Sequence, residues 1–569
     1  MAELLSKSKL ERGIRFIQKH RLIFFIAAII ILKHVLLTGL PIFAHPGADH
    51  DDGMMVKMAE TLLNGQWLGE YHELTLVKGV FFPLFLAVNA LFGIPYSIAI
   101  PGFYTLACVI FIVGTKKLFK NEWPLYFIFA VLMLNPISFA NETFTRVYRN
   151  SLIAGQVLII SGSLIAVYLN RFEKNGKLTF WAVLSGFGVA SLWHSREDGI
   201  WIIPLVLTVI LICWATFYFS KELRLKEKLI KGAIVGLPVM MLILSTVLIA
   251  SINYAYYGIY TTNELNDSDY TKTIKLIYSV EATEAVHNVS VPRSSMEKIY
   301  DAVPSLNGIS DEIDASMDRW SWYDQDVAVR EVEDGWFFWS IREAVANSGY
   351  YRDAQTANNF YKQVNKELEE AFETGQLERR KTMPSALMSP WRDEYWEELP
   401  KAFLVTLHYV AGYEKLETSV LESIDDGRNG LRLFERVTNN LAQYPGEATK
   451  WNDQLRIDSL NVIQSFYQLV GVLVFLLAGL AYAMITFLLF NKKWQDQYNL
   501  LDFWLVLTGL LLSAFVLMVG VAYTEISAYV AISYWYLAGA YPLIAAFNVI
   551  SLYKISELRL ETKKEKSQH

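Results

Sequence analysis

Apolar stretches of about 18–28 residues alternate along the chain with short charged ones, the length and pattern that lipid demands of a spanning helix. They predict ten membrane spans near 22–44, 96–115, 124–140, 151–169, 178–194, 199–219, 232–254, 461–490, 500–522 and 530–553. A further apolar piece, GVFFPLFLAVNALFG (79–93), is too short to cross and carries a proline, so it reads as a juxtamembrane or re-entrant helix. Residues 255–460 have another texture. FYKQVNKELEEAFETGQLERR has charged helical faces with i,i+4 pairs, and DRWSWYDQD and DGWFFWSIREAV concentrate aromatics. The pattern therefore predicts an α-helical polytopic membrane protein in three parts: 1–254, a mainly helical water-facing domain at 255–460, and 461–569.

Composition agrees, since 53% of the 569 residues are apolar, and a soluble reading is excluded. Cys108 and Cys213 both fall inside apolar runs, so neither a disulfide framework nor a CxxC metal site is available. The net charge of −6 is small, but its distribution is uneven. Basic clusters stand at KSKLERGIRFIQKHR, at Lys116, Asn170, Ser220 and Asn491, and in the tail ETKKEKSQH. Lys and Arg near span ends are retained in the cytoplasm, and placing all six clusters inside gives one consistent path with both termini cytoplasmic. The first apolar run then acts as an uncleaved anchor. The loops at His45, Asn141, Trp193 and Thr524 and the whole 255–460 segment fall together on the outer face. In that segment acids outnumber bases by about fifteen, in line with the positive-inside bias.

The most unusual of those loops is HPGADHDDGMMVKMAETLLNGQW. Met54, Met55, Met58, Ala59, Leu62 and Leu63 share one helical face, which predicts a short amphipathic helix on the outer surface of the bilayer. One of Asp51 and Asp52 is accounted for as its N-cap. The remaining acids of DHDD are not, and like charges beside a hydrocarbon boundary favour a proton-accepting role or a bound cation. Asp49, His50 and Asp51 are the candidate ligands for a divalent ion such as Mg or Mn, a requirement the sequence leaves open. For the Trp and Tyr residues of 255–460 two readings compete, a core with an interfacial belt and a sugar-stacking surface.

An acidic motif straight after the first span, followed by GQWLGEYHELTLVKGVFFPLFLAVNALFG with a lysine before a short apolar helix, resembles the GT-C superfamily of membrane glycosyltransferases. Its members include protein O-mannosyltransferases and bacterial aminoarabinose transferases. The YPLIAAFNVI ending of the last span is similar too. The chain departs from those two families in having HDD instead of a DE pair and in its long outer domain. The resemblance implies a GT-C-like bundle, a donor sugar on a polyprenyl phosphate and an acceptor in the cell envelope. It implies a catalytic role for Asp51 and Asp52, and for Lys78 a contact with the lipid phosphate. Lys78 also fits an interfacial lysine snorkelling to water.

Other residues on the outer face are candidates by type. Arg146 and Arg149 suit a cradle for phosphate, or are ordinary flanking charges. In WHSREDG, His194 or Arg196 reaches the donor and Glu197 or Asp198 orients it, unless the turn only neutralises itself. Glu525 is a weaker candidate. Sugar transfer needs a base for the acceptor hydroxyl and cations for the departing phosphate, and these residue types meet that need. No glycine-rich phosphate loop stands on an inner segment, so a nucleotide-sugar donor is not expected, and neither is a nucleic-acid partner. A polysaccharide polymerase or ligase is the nearest rival. A transporter or flippase, which would place ionisable groups at mid-bilayer, is more distant.

Overall fold

The computed structural model describes residues 21–568 apart from 283, 285, 322–329, 383–388, 426, 428 and 492–498. Residues 7–20 of the N-terminal basic cluster, most of NKKWQ and part of DRWSWYDQD lie outside the described residues. Secondary structure among the described residues is helical apart from isolated β-bridges. The first half runs α1 (Arg21–Leu37), α2 (Asp52–Leu63), α3 (Phe81–Leu91), α4 (Tyr96–Thr115), α5 (Trp123–Met133), α6 (Asn150–Leu169), α7 (Asn175–Trp193), α8 (Ile203–Phe219), α9 (Leu225–Val235) and α10 (Leu237–Tyr257). Next come α11 (Asp269–Tyr278), α12 (Arg293–Ala302), α13 (Pro304–Asn307), α14 (Ser310–Trp320), α15 (Asp334–Asn347) and α16 (Ala354–Thr374). The chain ends with α17 (Tyr395–Gly412), α18 (Gly430–Thr438), α19 (Trp451–Leu489), α20 (Leu500–Ser527) and α21 (Ala540–Gln568).

Every expected span contains a helix. Six helical stretches among the described residues are long and apolar enough to cross a membrane: Tyr96–Leu118, Asn150–Leu169, Gly199–Phe219, Leu237–Tyr257, Trp451–Leu489 and Leu500–Ser527. α6 is the centre of the bundle, buried along nearly its whole length. It closes on α4 through small residues: a Cβ on Gly162 would stand 2.5 Å from the Phe111 Cα, and one on Gly114 2.2 Å from the Gly162 carbonyl oxygen. The protein is thus a helical membrane protein.

The first helix stops at Leu37 instead of 44 and the eighth begins at Trp451 instead of 461, and three further span boundaries differ from the pattern for a local reason. The third helix stops at Met133 because the Asn135 side chain accepts from the Ile137 N–H and turns the chain. The last begins at Ala540, since Glu525 takes the N–H groups of Ala531 and Ile532 at 2.5 and 2.7 Å and holds the preceding segment as a loop. The seventh is broken between α9 and α10, where Pro238 supplies no backbone donor.

The bundle has two unlike ends. At one, the loops at 116–120 and 170–177 meet each other through Lys117–Glu173 at 2.5 Å, and the first meets the C-terminal helix through Lys120–Glu561 at 2.9 Å. At the other, the loops at 38–50, 70–80, 134–149, 194–199, 258–265 and 528–536 converge, as the contacts Phe43 N–H to Thr145, Glu264 N–H to Leu76 and Glu142 N–H to the Tyr534 hydroxyl record. α11–α16 cover this second end, and Phe337, Ile341, Val364 and Leu368 share one continuous core with Leu37, Met55 and Leu76. α17, expected in the water-facing domain, packs against α19, α20 and α21, and Val410 joins their core. α2 is also more enclosed than a helix lying on a bilayer: Asp52, Met54, Met55, Val56, Met58 and Ala59 are all buried against α3 and α18.

Candidate active site

The loop before α2 is a compact turn. Gly53 donates to the Ala48 carbonyl, and a Cβ there would stand 2.3 Å from the Pro46 carbonyl oxygen, so only glycine fits. Asp51 occupies the N-cap position of α2, yet its side chain makes no capping bond. Its Oδ1 instead accepts from Lys78 Nζ at 2.8 Å and from the Tyr148 hydroxyl at 2.7 Å. The N-cap explanation therefore fails for the very residue that stands at the cap.

Lys78 is delivered by the chain just before α3. A Cβ on Gly79 would lie 2.1 Å from the His194 carbonyl oxygen, and the Phe81 N–H donates to that same oxygen at 2.9 Å. This close approach brings Lys78 beside the 194–199 turn and beside Arg149. Tyr148 ties the group together. Its hydroxyl accepts from Lys78 at 3.1 Å and from Arg149 Nε at 3.2 Å while donating to Asp51. The Lys78, Arg146 and Arg149 cations lie 5.8, 5.0 and 5.5 Å from its ring centre, a cation–π cluster on one phenol.

The two adjacent aspartates have separate environments. Asp52 is fully buried and grips Arg146, which reaches it through Nε at 2.9 Å and Nη2 at 2.7 Å and reaches Glu142 at 2.6 Å. Asp51 keeps 42% of its side-chain surface. Burial works against its charge, but the Lys78 ammonium and the Tyr148 hydroxyl hold its carboxyl well below the usual carboxylate range. Burial also pulls on Lys78, and Tyr148 and Asp51 more than offset it, so the ammonium stays above the ordinary lysine value.

The third loop contributes two further pairs. Arg149 donates to both Glu197 oxygens at 2.7 Å and to the Ser195 carbonyl at 3.0 Å. Arg196 forks onto Asp198 at 2.7 and 2.6 Å and meets Asn150 at 2.9 Å, with Tyr536 5.4 Å from its guanidinium. Arg146, Arg149, Arg196, Glu197 and Asp198 thus come together with Asp51, Asp52 and Lys78.

Some candidates lie elsewhere. His194 Nε2 faces Ser245 at 2.9 Å. Asp49 pairs with Lys57 at 2.7 Å, while His50 stands edge-on between Trp320 and Trp339. Asp49, His50 and Asp51 therefore point to three different neighbours, and no group of three or more His, Cys, Asp or Glu suited to a metal occurs among the described residues.

Sequence reasoning missed Tyr148, Glu142, Asn150, Asn263 and Tyr536. Tyr148 carried a local sign in the arginines at 146 and 149. Asn263, which donates to Glu197 at 3.3 Å and to the Val77 carbonyl at 3.1 Å, carried none, because its partners are far away in sequence.

No protein-family model matches the sequence, and no curated protein does. Two crystal structures match, both of ArnT from Cupriavidus metallidurans. The apo form has a TM-score of 0.31 at 11% identity, covering 94% of this chain and 78% of that one. The form bound to undecaprenyl phosphate has a TM-score of 0.29 at 12% identity, covering 87% and 77%.

Proposed function

We propose that this protein is a membrane glycosyltransferase that moves a sugar from a polyprenyl-phosphate donor to a cell-envelope acceptor on the outer face of the membrane. In this reading both termini and the basic end lie in the cytoplasm. The observation that carries the proposal is the half-open Asp51 carboxylate, joined to Lys78 at 2.8 Å and ringed with Arg149 and Arg146 around one tyrosine. Asp51 takes the proton of the acceptor hydroxyl as its oxygen bonds to the anomeric carbon. The carbon–oxygen bond to phosphate breaks, and the electron pair leaves with the polyprenyl phosphate. Lys78 and Arg149 neutralise that leaving group, with Arg196 next in line. Asp52 is a positioning residue in this scheme, since its oxygens are spent on Arg146.

The pairing of Asp51 with Lys78 has a consequence for timing. A carboxylate held so low is a poor base. An arriving donor phosphate competes for Lys78, and as the ammonium turns to it the Asp51 pKa rises and basicity returns when the substrate is in place.

The test is purified protein in lipid, offered polyprenyl-phosphate sugars in one arm and soluble nucleotide sugars in the other. Transfer is expected only in the first arm. Lys78→Met keeps the apolar stem and should lower turnover about a hundredfold or more, with Lys78→Arg restoring part. Transfer from nucleotide sugars alone, or full activity of Lys78→Met, contradicts the proposal.

A further inference from the structure

α15 is amphipathic in an unusual way. One face sends Phe337, Ile341, Ala344 and Val345 into the core, all of them at most 1% exposed. Another face carries Trp336, Trp339 and Glu343 at helical spacing, and these three remain half-buried. Trp320, at the end of α14, joins them, its ring 5.9 Å from Trp336 at an interplanar angle of 24° and its indole N–H donating to Glu343 at 2.5 Å. These tryptophans rest against the edge of the same core and keep part of their rings open.

The second face runs along the charged cluster. The His50 ring meets Trp339 at 5.1 Å and Trp320 at 5.5 Å, nearly perpendicular to both, and the next residue is Asp51. From Trp336 the aromatics continue to Tyr529 at 5.9 Å and on to Tyr536 at 6.1 Å, which stands against Arg196. An arc of half-open rings therefore begins one residue from the half-open carboxylate and ends at the last cation of the cluster.

We infer that this arc is the acceptor subsite and that the acceptor is a glycan, which extends the glycosyltransferase reading and rests on it. A pyranose has an apolar C–H face rimmed by hydroxyls. Indole and phenol faces fit the first, and the Asp49 carboxylate and the His50 ring suit the second, while Glu343 accepts from Arg319 at 2.6 Å and from Trp320 and so fixes the Trp320 ring. A lipid chain would call for a continuous aliphatic groove, which these ring edges and carboxylates interrupt. The arc holds a sugar of the acceptor so that one of its hydroxyls reaches Asp51.

The experiment uses the full chain in lipid with a labelled polyprenyl-phosphate sugar and three acceptor fractions from the same cells: envelope polysaccharide, envelope protein and extracted lipid. Label is expected in the polysaccharide. Trp339→Leu should raise the KM for polysaccharide about threefold to tenfold, the worth of one aromatic contact, with a much smaller change in kcat, and Trp339→Phe should recover most of the loss. Label only in protein or lipid overturns the inference, as does a Trp339→Leu variant in which kcat falls and KM stays. A wild-type chain that consumes no lipid-linked donor overturns the glycosyltransferase reading itself, and this inference with it.

Discussion

The two ends of the bundle handle charge in opposite ways. At the basic end the loop pairs stand in water, Lys117 and Glu173 being 40% and 42% exposed and Lys120 60%, and one pair is buried there, Lys554 with Glu557 at 2.7 Å on the last helix. At the other end Lys78, Arg149 and Arg196 keep 9% or less of their surface and Asp52 none. An exposed pair contributes about 0–1 kcal/mol and needs no exact geometry. A buried one costs several kcal/mol of desolvation per ion, and removing one partner costs about 3–5 kcal/mol. In the proposed orientation the basic end needs only net positive charge to be retained in the cytoplasm. Such an expensive arrangement at the other end suits the proposed chemistry on a charged substrate.

The sharpest way to break this comparison is to separate the adjacent aspartates. Asp51→Asn should lower turnover by about two to four orders of magnitude while the protein stays folded, the usual worth of a general base. Asp52→Asn should show itself first in a lower thermal midpoint, through a loss of about 3–5 kcal/mol as the Arg146 pair is broken. Equal thermal stability of the two variants, or near-normal turnover in Asp51→Asn, would erase the distinction.

Tyr148→Phe comes next. It keeps the ring under three cations but deletes the hydroxyl shared by Asp51, Lys78 and Arg149, and a hydrogen bond to a charged group is worth about 1.5–3 kcal/mol. Turnover should fall about tenfold to a hundredfold. An unchanged rate would show that the ring alone matters.

Asp334 offers a comparison within the covered end. It is buried where α15 meets the 527–529 loop and accepts from the Ser290 N–H and hydroxyl and the Ser389 hydroxyl. Burial outweighs those bonds and pushes its carboxyl up to about 6. Because the folded value lies above the unfolded one, its stabilising contribution is complete below the ordinary carboxyl value of 3.8 and is lost as pH rises through about 6. Wild type should therefore lose about 3 kcal/mol relative to Asp334→Asn across that window, read from thermal midpoints at pH 4 and pH 7. Parallel curves would contradict it. The smallest effect belongs to the basic end, where Lys117→Ala should change stability by less than about 0.5 kcal/mol and leave turnover alone.

The sequence made the helices and their convergence legible because lipid imposes a length and a charge bias on every span. The acidic turn was legible for the same reason, as a cluster that one N-cap does not explain. Telling Asp51 from Asp52 was not possible, since it depends on Lys78 and Arg146, which only folding brings near. The end of the first helix and the start of the eighth were misread, and so were three boundaries where Asn135, Glu525 and Pro238 change the backbone hydrogen bonding, effects that apolar content does not encode. The aromatics of α15 stayed ambiguous between core and surface until the helix showed two faces.

The difference between the ends is most directly tested by labelling both in one kind of cell. Gln376→Cys lies on the covered end and Lys174→Cys on the basic end, and both positions are exposed, whereas Cys108 and Cys213 are buried. An impermeant maleimide on intact cells should label Gln376→Cys and reach Lys174→Cys only after lysis. Labelling of Lys174→Cys on intact cells, with Gln376→Cys protected until lysis, would put the charged cluster on the cytoplasmic side and contradict a lipid-linked donor presented from outside.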